Sequence, residues 1–154
     1  MILHEGDKAP DFNLQDTAGN IVTLNELLGK KIVIYFYPKD DTPGCTIEAC
    51  DIRDNYSIFK EKNIVVLGVS ADNIESHKSF TDKFNLPFPL LADINKNMCT
   101  DYDVLVDKIV HGHTVKGIVR ITFLIDESGI IKKIWNPVEP NGHAEEILNV
   151  ISGN

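Results

Sequence analysis

Cysteine is scarce in this chain: there are three in 154 residues, at positions 45, 50 and 99. So small and odd a number argues against a secreted disulfide scaffold, which would use more bridges. A reducing compartment fits better, which makes the cytoplasm the expected location and any disulfide a working bond. No Lys/Arg-rich block is present, and 23 acidic against 15 basic residues leave a formal charge of −8. Such a surface disfavours nucleic acid and anionic membranes as partners. Long apolar runs are missing as well; stretches such as residues 32–37 are far too short to span a bilayer. The opening residues 1–8 lack the apolar segment of a signal peptide. What is present is an ordinary globular composition, 43% apolar and 25% charged, without repeats or linkers. The length predicts one domain, residues 1–154, with a core large enough to need no staples.

Residues 11–22 read as an amino-terminal β-hairpin, with Phe12 and Leu14 on one arm, Ile21 and Val22 on the other and a turn at 16–20. Thr23 and Glu26 have capping-box spacing ahead of one short helix that closes at Gly29. The unbroken apolar run 32–37 is the pattern of a strand buried on both faces. From Pro43 to about Lys62 one helix is predicted, with Cys45, Ala49, Ile52, Tyr56 and Phe59 as its inward stripe. A second buried strand at 64–69 completes a βαβ unit. A helix at 74–85, a short strand at 90–92 and a short helix at 95–102 follow. Strands at 120–125 and 130–135, joined by a turn at 126–129, lead to a final helix starting at Asn141 and Gly142. Its inner face is Ala144, Ile147, Leu148 and Ile151. The class is α/β. The order β-α-β, intervening elements, then β-β-α is that of a thioredoxin-like fold, a central mixed sheet flanked by helices with an N-terminal hairpin.

The chemistry concentrates where the first buried strand gives way to the helix. With Pro43 as the first helical residue, Thr42 is the N-cap and Cys45 the third helical residue. A helix N-terminus offers unpaired N–H groups and about half a positive charge. A thiol there is more acidic than a free one, and the thiolate is the reactive form. Thr42's hydroxyl is expected either to accept from the Cys45 N–H or to turn its proton toward the sulfur. Cys50 follows five residues later. In an intact helix two such Cα atoms stand about 8.7 Å apart, beyond the roughly 7 Å limit for a disulfide. A Cys45–Cys50 bond therefore requires the first turns to unwind. Gly44 and the natural fraying of helix ends favour that.

Pro38, Thr42 and Cys45 match the peroxiredoxin pattern Pro-x-x-x-Thr/Ser-x-x-Cys. Residues 44–50, Gly-Cys-Thr-Ile-Glu-Ala-Cys, resemble the bacterioferritin comigratory protein or Q-type subgroup. Residues 6–12 resemble that family's opening, residues 119–126 its arginine-bearing strand and residues 142–146 its last helix, so the resemblance covers essentially the whole chain. It implies an antioxidant thiol peroxidase acting on hydrogen peroxide and organic hydroperoxides. On the same resemblance, Cys45 attacks the peroxide, Thr42 hydrogen-bonds peroxide and thiolate, and Pro38 shields the site from water. Arg120 steadies the thiolate and orients the substrate. Cys50 resolves the sulfenic acid as a Cys45–Cys50 disulfide, which thioredoxin or a similar dithiol protein reduces. The resemblance calls for no cofactor and no metal, and leans to a monomer, with a dimer as the alternative. Glu48 also matches the pattern. A carboxylate so near would raise the thiol pKa, so Glu48 is expected to bond backbone or arginine instead.

Other residues read more plainly. Cys99 is expected to be a small core residue of its helix. His111 and His113, with no carboxylate or cysteine nearby in sequence, read as loop rather than metal ligands. His143 reads as a helix-start residue. Residues 137–141 are richer in proline and acid than the family's usual lysine-bearing segment. Two rival functions remain in view. A disulfide oxidoreductase on the same fold would want Cys-x-x-Cys, whereas four residues separate these cysteines. A metal-binding or redox-sensing module would use Cys45, Cys50 and a histidine.

Overall fold

The computed structural model describes residues 2–153. The expected hairpin forms from β1 (Asn13–Gln15) and β2 (Ile21–Thr23), paired antiparallel. Thr23 then caps α1 (Leu24–Leu27). Its hydroxyl accepts from the Glu26 N–H, and the Glu26 carboxylate accepts from the Thr23 N–H, a complete capping box.

β3 (Ile32–Phe36) is the axis of the molecule, buried along its whole length. Side chains alternate across a strand. Ile32, Ile34 and Phe36 enter one apolar cluster, while Val33 and Tyr35, with Tyr37 beyond, enter another on the opposite face. That two-sided burial is why the run reads as continuously apolar. After it comes α2 (Pro43–Asp54), then α3 (Tyr56–Glu61). The single helix expected over 43–62 is thus two. The break is at Asn55, whose side-chain amide donates to the Asp51 carbonyl at 2.8 Å, taking the acceptor its own N–H would use. That N–H turns to Ile52 instead.

β4 (Val65–Ser70), α4 (Ile74–Phe84), β5 (Leu90–Ala92) and α5 (Asn97–Asp101) follow as read from the sequence. A hairpin of β6 (Leu105–Val110) and β7 (His113–Ile118) comes next, which the sequence reading did not anticipate. His111 and Gly112 form its turn. β8 (Ile121–Ile125), β9 (Ile131–Trp135) and α6 (His143–Ile151) complete the chain. The central sheet runs β5-β4-β3-β8-β9, with β3, β4 and β5 parallel and β8 and β9 antiparallel to their neighbours. Cores contributed by α2, α4 and α6 on one face, and by α1 and α5 on the other, make the sheet the middle layer. Among the described residues no helix is long and apolar enough to cross a membrane.

Candidate active site

Pro43 is the first residue of α2 and Thr42 its N-cap, with extended backbone at φ −101°, ψ 156°. Cys45 lies in the first turn and is 1% exposed. The hydroxyl of Thr42 takes neither of the expected roles. It donates to the Lys39 carbonyl at 2.8 Å and makes no cap bond. The reason is local: the loop turns back at Asp41, whose φ is +55°, and a Ser/Thr hydroxyl readily bonds a carbonyl a few residues upstream. Its proton is spent, so its lone pairs are what it offers a ligand. The Thr42 carbonyl accepts from the Thr46 N–H, leaving the N–H groups ahead of it in the first turn without a side-chain cap.

Arg120 stands between β7 and β8 and reaches across to α2. One terminal nitrogen donates to Glu48 Oε1 at 2.8 Å and the other faces Cys45 Sγ at 3.4 Å. Burial opposes a guanidinium charge there, but its bonds to Cys45 and Glu48 outweigh that and raise its pKa. Glu48 is fully buried, not on a helix surface, and bonds the arginine as expected. Its Oε2 has no hydrogen-bond partner among the described residues. Burial lifts its carboxyl to about 7 even against the pull of Arg120. Gly44 lets the guanidinium come close: a Cβ at that position would lie 3.0 Å from Nη2.

Cys50 lies on the same unbroken helix, half-buried, and all three cysteines are free thiols. Pro38 is exposed, just past β3. Cys99 is fully buried, its N–H donating to Asp93 at 2.7 Å. Burial and the neighbouring Asp93 push its thiol pKa far up, which makes it a poor nucleophile. His143 begins α6, buried, with its ring nitrogens at 2.9 Å from Thr122 Oγ1 and 2.7 Å from Glu146.

One group of side chains beside the site escaped the sequence reading. Asp40, in the loop that delivers Thr42, accepts from the Tyr37 hydroxyl at 2.6 Å and from Ser76 at 2.8 Å, and lies 2.7 Å from His77 Nδ1. Its N–H donates to Asp72 at 2.8 Å. His77 Nε2 faces the Leu91 carbonyl at 3.0 Å; a carbonyl only accepts, so this nitrogen carries a proton. Asp40, Asp72 and His77 are the only set among the described residues whose ligand atoms could converge on a metal ion. Those groups are occupied with one another, with backbone and with the hydroxyls of Tyr37, Ser70 and Ser76. The network's effect is to clamp the loop ahead of α2 onto α4. The only signal for it in the sequence is polar residues flanking buried strands.

A cysteine at a helix start, faced by a half-buried arginine beside a thioredoxin-like sheet, defines a thiol-based redox enzyme. The AhpC/TSA family model matches residues 5–134, and the chain belongs to that peroxiredoxin family. It is 45% identical to the peroxiredoxin Bcp of Bacillus subtilis, over 98% of this chain and 96% of that protein. With the Escherichia coli peroxiredoxin Bcp it shares 40% identity, over 96% and 94%. Among solved structures, a cysteine-to-serine mutant of Xylella fastidiosa PrxQ superposes with a TM-score of 0.93 at 35% identity, covering 99% of this chain and 98% of that one. The chain is thus a peroxidase of the peroxiredoxin class.

Proposed function

We propose that this enzyme reduces hydrogen peroxide and organic hydroperoxides through Cys45, resolves through Cys50 and is recycled by thioredoxin or a similar dithiol protein in the cytoplasm. The observation that carries the reading is the Cys45 sulfur in the first turn of α2 with the Arg120 guanidinium 3.4 Å away. The helix end and the cation both face the sulfur that attacks and the negative charge that moves off it during the reaction. In the first step the thiolate attacks one peroxide oxygen and the O–O bond breaks. Sulfur gains that oxygen as a sulfenic acid, and the other oxygen leaves as alkoxide or hydroxide, taking a proton to become alcohol or water. Negative charge passes from sulfur to the departing oxygen, and the Arg120 cation beside the sulfur offsets it as it moves. Thr42, its own proton held by Lys39, accepts a hydrogen bond from the peroxide O–H. Uncapped N–H groups of the first turn can donate to the peroxide oxygens. Pro38 is the residue proposed to keep water off the sulfur, and Glu48 the one that holds the arginine fork.

In the second step the Cys50 thiolate attacks the Cys45 sulfenic sulfur, forming the S–S bond and expelling hydroxide, which becomes water. An external dithiol returns two electrons by exchange, becoming a disulfide itself. The test is peroxide-dependent NADPH oxidation with thioredoxin and thioredoxin reductase. Steady turnover that Cys45→Ser abolishes is the expected result; no peroxide consumption, or an unaffected Cys45→Ser variant, contradicts the proposal.

A further inference from the structure

We propose that Asp51 is a positioning residue of the resolving step, restraining the unwinding of α2 by tying it to α6, an inference that rests on the Cys45–Cys50 reading above. Residues 45 and 50 cannot join while both remain helical, so Cys50 must leave its place on α2. Asp51 is its immediate neighbour. Its Oδ2 accepts from the Ala144 N–H at 2.8 Å, so a carboxylate of one helix caps the first turn of another. The N-cap of α6 is Gly142, which has no side chain with which to do this. A negative charge at a helix N-terminus adds to the hydrogen bond.

The two helices also share one apolar cluster, in which Ala49 and Ile52 of α2 accompany Ala144 and Ile147 of α6. Moving Cys50 toward Cys45 drags the Asp51 backbone with it. The bond to Ala144 then breaks, and α6 loses its cap as the disulfide forms. Asp51 thereby sets how readily the resolving thiol is released, and oxidation is transmitted to the start of α6. The chain carries a reporter for this event. Its one tryptophan, Trp135, packs edge-on against His143, the first residue of α6, with ring centroids 5.4 Å apart.

The experiment follows the reduced full-length protein after rapid mixing with hydrogen peroxide. Quenching, alkylation and mass spectrometry separate sulfenic acid from disulfide, while Trp135 fluorescence is read in parallel. Asp51→Ala should form the Cys45–Cys50 disulfide about tenfold faster than wild type once the sulfenic acid is present, the scale of losing a cap. It should also need more peroxide to reach the sulfinic acid, because faster resolution leaves the sulfenic acid less time exposed. Asp51→Asn retains an acceptor oxygen and should stay close to the wild-type rate. In the wild type, amides 144–147 should exchange hydrogen faster after oxidation than before, which decides the matter even if Asp51→Ala does not fold. Equal resolution rates in all three proteins, or equal exchange in the two redox states, overturn the role of Asp51 while leaving the peroxidase reading intact. Absence of any Cys45–Cys50 disulfide in the wild type overturns the reading beneath it.

Discussion

Arg120 is anchored by Glu48: Nη1 donates to Oε1 at 2.8 Å while Nη2 faces the Cys45 sulfur at 3.4 Å. The two α2 residues lie nearly one turn apart, so one planar fork spans both. A carboxylate near a nucleophilic sulfur is ordinarily unhelpful. Here its charge is absorbed by the cation that serves the sulfur.

Lysine carries the same charge without the fork. Arg120→Lys should therefore lower kcat/KM for hydrogen peroxide by about 10²-fold, the scale of losing one aimed donor to a developing oxyanion. Glu48→Gln keeps an acceptor but loses the charge that holds the guanidinium, and should cost less. Stopped-flow rates for the first oxidation of Cys45 in the three proteins provide the comparison. Equal rates for wild type and Arg120→Lys would remove the arginine from the chemistry.

Glu48 also imposes a pH dependence on stability. Its folded pKa, about 7, lies above the unfolded value of 4.5, so the folded chain holds this proton more tightly. The contribution is full below pH 4.5 and is lost as pH rises through about 7. Between pH 5 and pH 8 it amounts to roughly 2 kcal/mol. Urea unfolding of the reduced wild type should therefore show a loss over that interval that Glu48→Gln lacks. Parallel pH profiles for the two proteins would contradict the assignment.

Beneath the site, Gly68 of β4 pairs with Tyr35 of β3. A Cβ there would lie 2.7 Å from Leu90 Cδ2 and 2.8 Å from the tip of the Tyr35 ring. Tyr35 cannot swing aside, being stacked on Tyr37 at 5.4 Å and edge-on to Phe88 at 5.9 Å. Gly68→Ala should destabilise the protein by about 1–3 kcal/mol through overpacking. A urea midpoint unchanged from wild type would show that the sheet yields more easily than this packing allows.

Much of this architecture was legible because it depends on neighbours in sequence. The run 32–37 declared its two-sided burial, Pro43 and Thr42 marked the start of α2, and Thr23 with Glu26 marked α1. The β6–β7 hairpin was not legible. Its strands are exposed almost throughout, so no buried face imposes an alternation on residues 105–118. The break at Asn55 turns on one side-chain amide competing for a carbonyl, which helical spacing does not register. The orientation of Thr42 depends on the turn at Asp41, which brings the Lys39 carbonyl within reach of its hydroxyl. The Asp40–His77 pair joins positions 37 apart, a distance only the fold can close.

The most direct test is a cysteine map of the reduced protein after one equivalent of hydrogen peroxide, by peptide mass spectrometry under non-reducing conditions. The account predicts a Cys45–Cys50 linkage with Cys99 still a thiol, as its burial and the neighbouring Asp93 require. A Cys45–Cys99 bond, or oxidation that leaves Cys45 untouched, would contradict it.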